Sequence, residues 1–421
     1  MKHKKQVIPI LLLLSAVASV KAQLLYNNGA NVAISAGGIL FVDGAVENAH
    51  GLLSNAGQAT IRGYFRNGST ATGGGAAGEY IVLGDWENNN TFNADQSNVR
   101  LSGTNQLITG TQVTTFYDLA LETANAVKTQ TLDANVNHLL ALNDCELATG
   151  DNNMTVLSPV AASVTRNTGF VSSTGAGRLI RNTNSTSAYL FPTGWNNGGT
   201  VYYRPVEIAP SVAANQSFSV RMAYGDPSIE GYDVSTKAGN VIDVNTQFFH
   251  LVKQSGTTSP SDLSIYYNAA QDGNWGSIGR WQGLPQWEDL MFVDATPGTP
   301  LTRLRKAAWS DNNNEPHALI NAKEIEAFFN FPNVFAPGGS NPDNQTFHII
   351  NNLGLAEVQT LRIFNRWGEP VFDSSRDGKT EWDGYYQGKL QPMANYVYMA
   401  SVKIPGTGEI KNVEGNVALL W

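Results

Sequence analysis

Three stretches of the chain superimpose without gaps: Val42-Asp43-Gly44-Ala45-Val46-Glu47-Asn48, Ile61-Arg62-Gly63-Tyr64-Phe65-Arg66-Asn67 and Val82-Leu83-Gly84-Asp85-Trp86-Glu87-Asn88. Their glycines stand 19 and then 21 residues apart, and Leu101-Ser102-Gly103 begins a partial fourth copy 19 residues further on. A unit this short cannot bury an apolar face alone, so the copies must stack, most simply as a β-solenoid with one coil per copy. Val42, Val46, Ile61, Phe65, Val82 and Trp86 share one parity, while the opposite parity is mostly polar or charged, so the first set is expected inside. In-register stacking then places Asn48, Asn67 and Asn88 in an internal amide ladder and Glu47, Arg66 and Glu87 in an external column of alternating sign. Both are structural features, each cross-strand pair contributing roughly 0.2–1 kcal/mol. The turn-punctuated run from Phe116 to Leu157 reads as further coils with poorer repeat fidelity.

Composition supports an all-β chain. It has 421 residues with 41 Gly and only 15% charged residues, and so lacks the Lys, Glu and Leu content of long helices. A net charge of -8 provides no basic field, which leaves nucleic acid outside the expected partners. At the N-terminus, Lys2, Lys4 and Lys5 precede an apolar run from Val7 to Val20 and then Val20-Lys21-Ala22, the pattern of a signal peptide cleaved after Ala22. The competing reading, a membrane anchor, is disfavoured by the shortness of the run and by Pro9, Ser15 and Ser19. No Cys follows the cleavage position, and no later segment is apolar enough to span a bilayer as a helix. Cys145 is the single cysteine, set among acids in Asn143-Asp144-Cys145-Glu146, and is read as buried and inert; stability must come from sheets rather than disulfides.

From about residue 158 to 328 longer strands with Pro and aromatic residues suggest a central antiparallel β-sandwich. Within it Trp275, Trp281 and Trp287 recur every six residues. They could form a glycan-stacking platform, but Gly276, Gly279, Gly283 and Pro285 interrupt the strand and favour a core or turn role. Parallel β-helices include polysaccharide-degrading enzymes, and Arg62 and Arg66 fall near Asp85 and Glu87 one coil apart; their outward parity reads as a solvated face. The six histidines are scattered, no His-Glu-x-x-His or Gly-x-Ser-x-Gly pattern occurs, and the Gly175-Ala176-Gly177-Arg178 stretch is too short for a nucleotide loop. Asp311-Asn312-Asn313-Asn314-Glu315 offers oxygen ligands for Ca²⁺ but reads as a solvated turn, and no cofactor is expected.

The last segment, 329–421, carries "FPNVFAPGG", "LRIFNRWGEPVFDS", "EWDGYYQGKLQPMANYVYMASV" and a terminal "GNVALLW". Together these resemble the gliding-motility-associated C-terminal domain, the type B sorting domain of Bacteroidota proteins exported by the type IX secretion system. The recognisable motif residues are Phe364, Asn365, Arg366, Trp367, Gly368 and Glu369, followed by Trp382, Asp383 and Gly384. The resemblance implies a seven-stranded or similar β-sandwich that addresses the chain through the type IX translocon, with a PorP/SprF-type outer-membrane partner, to the cell surface or medium. Where the family typically has an Asn-Gly-Asp-Gly-rich loop, this chain has Ala336-Pro337-Gly338-Gly339-Ser340-Asn341-Pro342-Asp343-Asn344, with fewer acids. Read as strand, turn and strand, "IFNRWGEPVF" should put Ile363, Phe372 and either Trp367 or Phe364 in a small core, with Arg366 and Glu369 at the turn. The expected organisation is thus a signal peptide (1–22), β-solenoid repeats (23–157), a β-sandwich (158–328) and the sorting domain (329–421). The function expected is non-enzymatic, in adhesion, motility or an extracellular matrix. The alternative is a polysaccharide-binding or polysaccharide-degrading solenoid.

Overall fold

The computed structural model describes residues 24–282, 286–310, 313–323, 329–351, 356–403 and 410–421; the expected signal peptide lies outside them. The chain is all-β and divides into two compact units. The first comprises Met1–Asp233, Asn245–Asn274 and Ala295–Ala318; the second comprises Val234–Val244, Trp275–Asp294 and Leu319–Trp421. Among the described residues no helix is long and apolar enough to cross a membrane.

The first unit opens with the solenoid. One parallel sheet runs through eight described strands from Leu24–Ile34 to Phe170–Ser172, and a second through eight from Ile39–Val42 to Leu179–Thr183. The repeat sets the register: Val46 pairs with Phe65 and Phe65 with Trp86, while Asn48, Asn67 and Asn88 stand opposite one another. All six residues expected inside are buried. The Phe65 and Trp86 rings stack at 4.4 Å, and Phe92 meets Trp86 edge-on at 4.9 Å, so aromatic packing fills the middle coils. The repeat glycine is required because coils approach too closely for a side chain: a Cβ on Gly84 would lie 2.5 Å from the Gly63 carbonyl carbon.

The amide ladder is present and one rung longer than expected. Asn27 Nδ2 donates to Asn48 Oδ1 (2.7 Å), Asn48 to Asn67 (3.1 Å) and Asn67 to Asn88 (2.9 Å). Asn27, Asn48 and Asn67 each also donate to a backbone carbonyl in the next coil, Asn27 to Leu52 at 3.3 Å, Asn48 to Thr72 at 3.0 Å and Asn67 to Thr91 at 2.8 Å. On the outside Arg66 lies between Glu47 (3.5 Å) and Glu87 (2.8 Å), and two sides of the same device recur where Arg100 bridges Glu79 and Glu122.

The change of strand spacing at residue 158 does not interrupt the stack. Leu179 pairs in parallel with Met154, continuing the buried apolar column across a longer loop, and the strand Leu179–Thr183 then pairs antiparallel with Gln216–Tyr224. The antiparallel sheet expected from 158 to 328 therefore grows out of the solenoid instead of standing apart from it. A five-stranded sheet that includes Tyr189–Phe191, Val206–Pro210, Ser261–Tyr267 and Thr302–Trp309 accompanies it. Residues 234–244 and 275–294, also expected in that sandwich, group with the second unit. There Trp287 makes a bridge with Lys237, and Val241–Val244 pairs with Ile320, Asn321 and Ala322.

A buried polar centre fixes the antiparallel part. Arg204 is held by Asp272 at 2.6 Å, both fully buried, and its carbonyl accepts from His250 Nε2 at 2.8 Å. Burial pushes the His250 imidazole down to about 4; the hydrogen bond to the Arg204 carbonyl opposes this, and the nearby guanidinium reinforces it. Between its unfolded value near 6.5 and that folded value, the unfolded chain binds the extra proton. His250 therefore contributes stability above about pH 6.5 that is lost as pH falls toward about 4, up to roughly 3 kcal/mol. Urea unfolding at pH 7.5, 6 and 5 should show the wild-type advantage over His250→Gln shrinking in that window. A pH-independent difference would refute this origin.

The second unit ends in the C-terminal domain. Its main sheet runs, in order, through Val334–Phe335, Ile410–Leu419, Ala394–Lys403, Glu357–Phe364 and Pro370–Asp373; two-stranded pairs formed by Phe329–Asn330 with Ile350–Asn351 and Tyr385–Tyr386 with Lys389–Leu390 complete it. The core holds Phe335, Phe347, Leu361, Ile363, Trp382 and Tyr396, among others.

Candidate functional site

The residues of the sorting motif fall into three groups with different physical roles. The first makes a turn. The strands Glu357–Phe364 and Pro370–Asp373 pair with Ile363 opposite Phe372, both buried as expected. Between them Asn365 closes the hairpin with its own side chain. Its Oδ1 accepts the Trp367 and Glu369 N–H groups at 2.9 and 3.0 Å, and its Nδ2 donates to the Glu369 carboxylate at 2.8 Å. Gly368, at φ +77°, returns its N–H to the Asn365 carbonyl.

The second group is displayed by that turn. Trp367 is not in the core: it stands at the tip, 75% exposed, with the Arg366 guanidinium 5.0 Å from its ring centre. The closing bonds from Asn365 force this, because they direct residues 366 and 367 out of the hairpin. Phe364 is half-buried on the adjoining strand.

The third group locks the fold. Trp382 occupies the central place that Trp367 does not: it is fully buried, packs 4.9 Å from Tyr396 and 5.2 Å from Phe335, and donates Nε1–H to the Tyr385 carbonyl at 3.0 Å. Asp383 accepts the Tyr385 N–H at 3.1 Å and pairs with Lys379 at 3.3 Å. Gly384 has φ +80°, and a Cβ there would sit 2.7 Å from Pro337 Cγ, so glycine is demanded twice over. The proline loop before it closes on itself: Asn341 accepts the Asp343 N–H at 3.1 Å, and Gln345 donates to the Gly339 carbonyl at 2.8 Å.

Beyond the strand Pro370–Asp373 lies an open groove of about 680 Å³, walled by Phe372, Arg376, Asp377, Lys379, Tyr385 and Tyr386. Arg376 rests 5.6 Å from the Tyr386 ring and bonds Asp377 at 2.7 Å, which holds that carboxyl below its usual range. An exposed indole, an aromatic wall and mixed charges suit recognition of another protein surface.

The other sequence candidates do not assemble with this site. Trp281 and Trp287 pair directly across a hairpin, their rings 5.8 Å apart and inclined by 68°, and Trp287 is fully buried. Trp275, Trp281 and Trp287 thus form no common platform for a sugar. Arg62 pairs with Asp43 at 3.0 Å, while Asp85 accepts the Leu107 N–H. Cys145 is buried, its thiol directed at the Glu122 and Thr123 carbonyls, and burial pushes it up to about 11. The cation loop at 311–315 lies outside the described residues, apart from the backbone of 313–315. Among the described residues no group of three or more His, Cys, Asp and Glu could hold a metal ion. Sequence reasoning missed one chemically unusual residue, Lys128. It is fully buried between coils, donates to Gln106 Oε1 at 2.6 Å and to the Gly103 carbonyl, and burial pushes its ammonium down to about 8.

Fold and site together define a β-solenoid protein that ends in a small β-sheet recognition domain. Residues 329–418 match the CHU_C type IX secretion signal domain family, so the chain carries a type IX sorting domain, a signal for export to the cell surface or extracellular space. No curated protein and no solved structure matches the chain.

Proposed function

We propose that this chain is a non-enzymatic structural or adhesive protein of the surface or surrounding matrix of a Bacteroidota cell. A signal peptide takes it across the inner membrane. The C-terminal domain then engages the type IX translocon with a PorP/SprF-type outer-membrane partner. The observation that carries this reading is that a chain with a sorting domain at 329–418 also has a solenoid whose outward arginines are paired with carboxylates between coils. Arg62, Arg66 and Arg100 are each held by carboxylates of neighbouring coils at 2.7–3.5 Å. Such exposed pairs add little stability, about 0–1 kcal/mol each, but they occupy the acids that glycoside chemistry would need free.

The alternative, polysaccharide binding or cleavage, is separated by one experiment. A glycan array and a reducing-end assay on the purified protein should give neither binding nor turnover. Release of reducing ends, or glycan binding abolished by Trp281→Ala, would establish the alternative instead.

A further inference from the structure

The two ends of the solenoid are built differently. At the far end Leu179–Thr183 is covered by the antiparallel strand Gln216–Tyr224, and Phe170–Ser172 by a bridge from Val171 to Thr193. At the near end Leu24–Ile34 pairs only with Ala45–Asn55, and Ile39–Val42 only with Gln58–Ile61, among the described residues. The opposite edges of both strands present free N–H and C=O groups.

The side chains of this first coil break the rule that later coils obey. At outward positions, where the next coil has Glu47, Gln58 and Thr60, the first coil has Tyr26, Ile39 and Phe41. Ile39 is 77% and Tyr26 53% exposed. Inward Leu25 and Leu40 are only half-buried, whereas their partners Val46 and Ala59 are fully buried, so the interior is open here. Positions 24–42 contain no charged residue, whereas the next coil has Asp43 and Glu47 and the one after it Arg62, Arg66 and Glu79. Proteins guard exposed strand edges with charge or proline, and a solenoid end normally carries a polar cap; among the described residues this coil has neither.

We infer that the first coil is a self-association surface on which a second copy of this chain stacks. An uncharged apolar edge suits an identical edge, because a charged partner would be desolvated there without a counter-charge. With one end of the stack open and the other closed, copies cannot add head to tail. The contact is isologous about a two-fold axis and stops at a dimer. The two-fold reverses the direction in which the chain runs at the shared face, so the first-coil strands of one copy lie antiparallel to those of the other and extend both sheets.

Sedimentation velocity on the chain from Gln23 to Trp421, without the expected signal peptide, over a wide concentration range tests this. The wild type should sediment as a reversible dimer. Ile39→Lys should weaken association at least tenfold, and an equimolar mixture of Ile39→Lys and Ile39→Glu chains should restore it. Tyr26→Lys repeats the test on another strand of the same coil, and Thr60→Lys, at an outward position one coil inward, should leave the dimer intact. Circular dichroism confirms that each chain is folded. A monomeric wild type, open-ended assemblies, or a dimer indifferent to Ile39→Lys and Tyr26→Lys overturns the inference.

Discussion

Trp382→Ala is expected to unfold the C-terminal domain and to hold the chain inside the cell envelope. The side chain is fully buried against Phe335 and Tyr396, and its removal also leaves the Tyr385 carbonyl without its donor. Deleting a buried aromatic side chain costs about 3–5 kcal/mol, a large share of the roughly 5–15 kcal/mol that keeps a domain folded. The comparison that gives the result meaning is Trp367→Ala. That indole is 75% exposed, so its loss should change stability by no more than about 0.5 kcal/mol. Thermal unfolding separates the two variants, and secreted protein in the medium reads the consequence. Export blocked in Trp382→Ala follows from loss of fold, whereas an export defect in folded Trp367→Ala marks the hairpin tip as a contact for the export machinery. Equal melting of the two variants would contradict the assignment of Trp382 as the domain's central residue.

The second large effect belongs to the solenoid. Asn67→Ala removes the middle of the amide ladder and breaks three hydrogen bonds: the one from Asn48, the one to Asn88 and the one to the Thr91 carbonyl. The buried Asn88 Oδ1 and the part-buried Thr91 carbonyl then lose their donor. A buried group left without its partner costs about 1–3 kcal/mol, so a total of about 2–5 kcal/mol is expected. Glu87→Gln on the outer column should cost less than about 1 kcal/mol, because Arg66 keeps Glu47. Urea unfolding of both variants checks the contrast; a ladder variant no worse than the column variant would mean that the amides do not hold the coils in register.

The solenoid was legible because two periods coincide in one sequence. Alternation assigned Val46, Phe65 and Trp86 inward and Glu47, Arg66 and Glu87 outward, and the repeat aligned the asparagines between coils. The rest was hidden for specific reasons. Asn27 joins the ladder from a coil that lacks the repeat's Gly-x-apolar core, so alignment could not find it. Beyond residue 157 the stack keeps inward parity, with Leu179 pairing with Met154, but lengthened loops erase the period. Lys128 lies inside because Gln106 and the Gly103 carbonyl accept its protons, a pairing between coils that no local pattern records. Alternation could not choose between Trp367 and the core, because side-chain bonds from Asn365 set the turn, and the tryptophan that fills the core comes from a loop further along the chain. The evenly spaced tryptophans suggested a platform only while they were imagined on one strand; a hairpin sets Trp281 against Trp287 instead.

The account rests on the C-terminal domain acting as an address for the solenoid ahead of it. The most direct measurement is the location of the full chain and of a chain ending before residue 329, each in cells with and without a working type IX translocon. The full chain should reach the surface or medium only where the translocon works, and the shortened chain should remain in the periplasm in both. A shortened chain that still leaves the cell, or a full chain exported without the translocon, would contradict it.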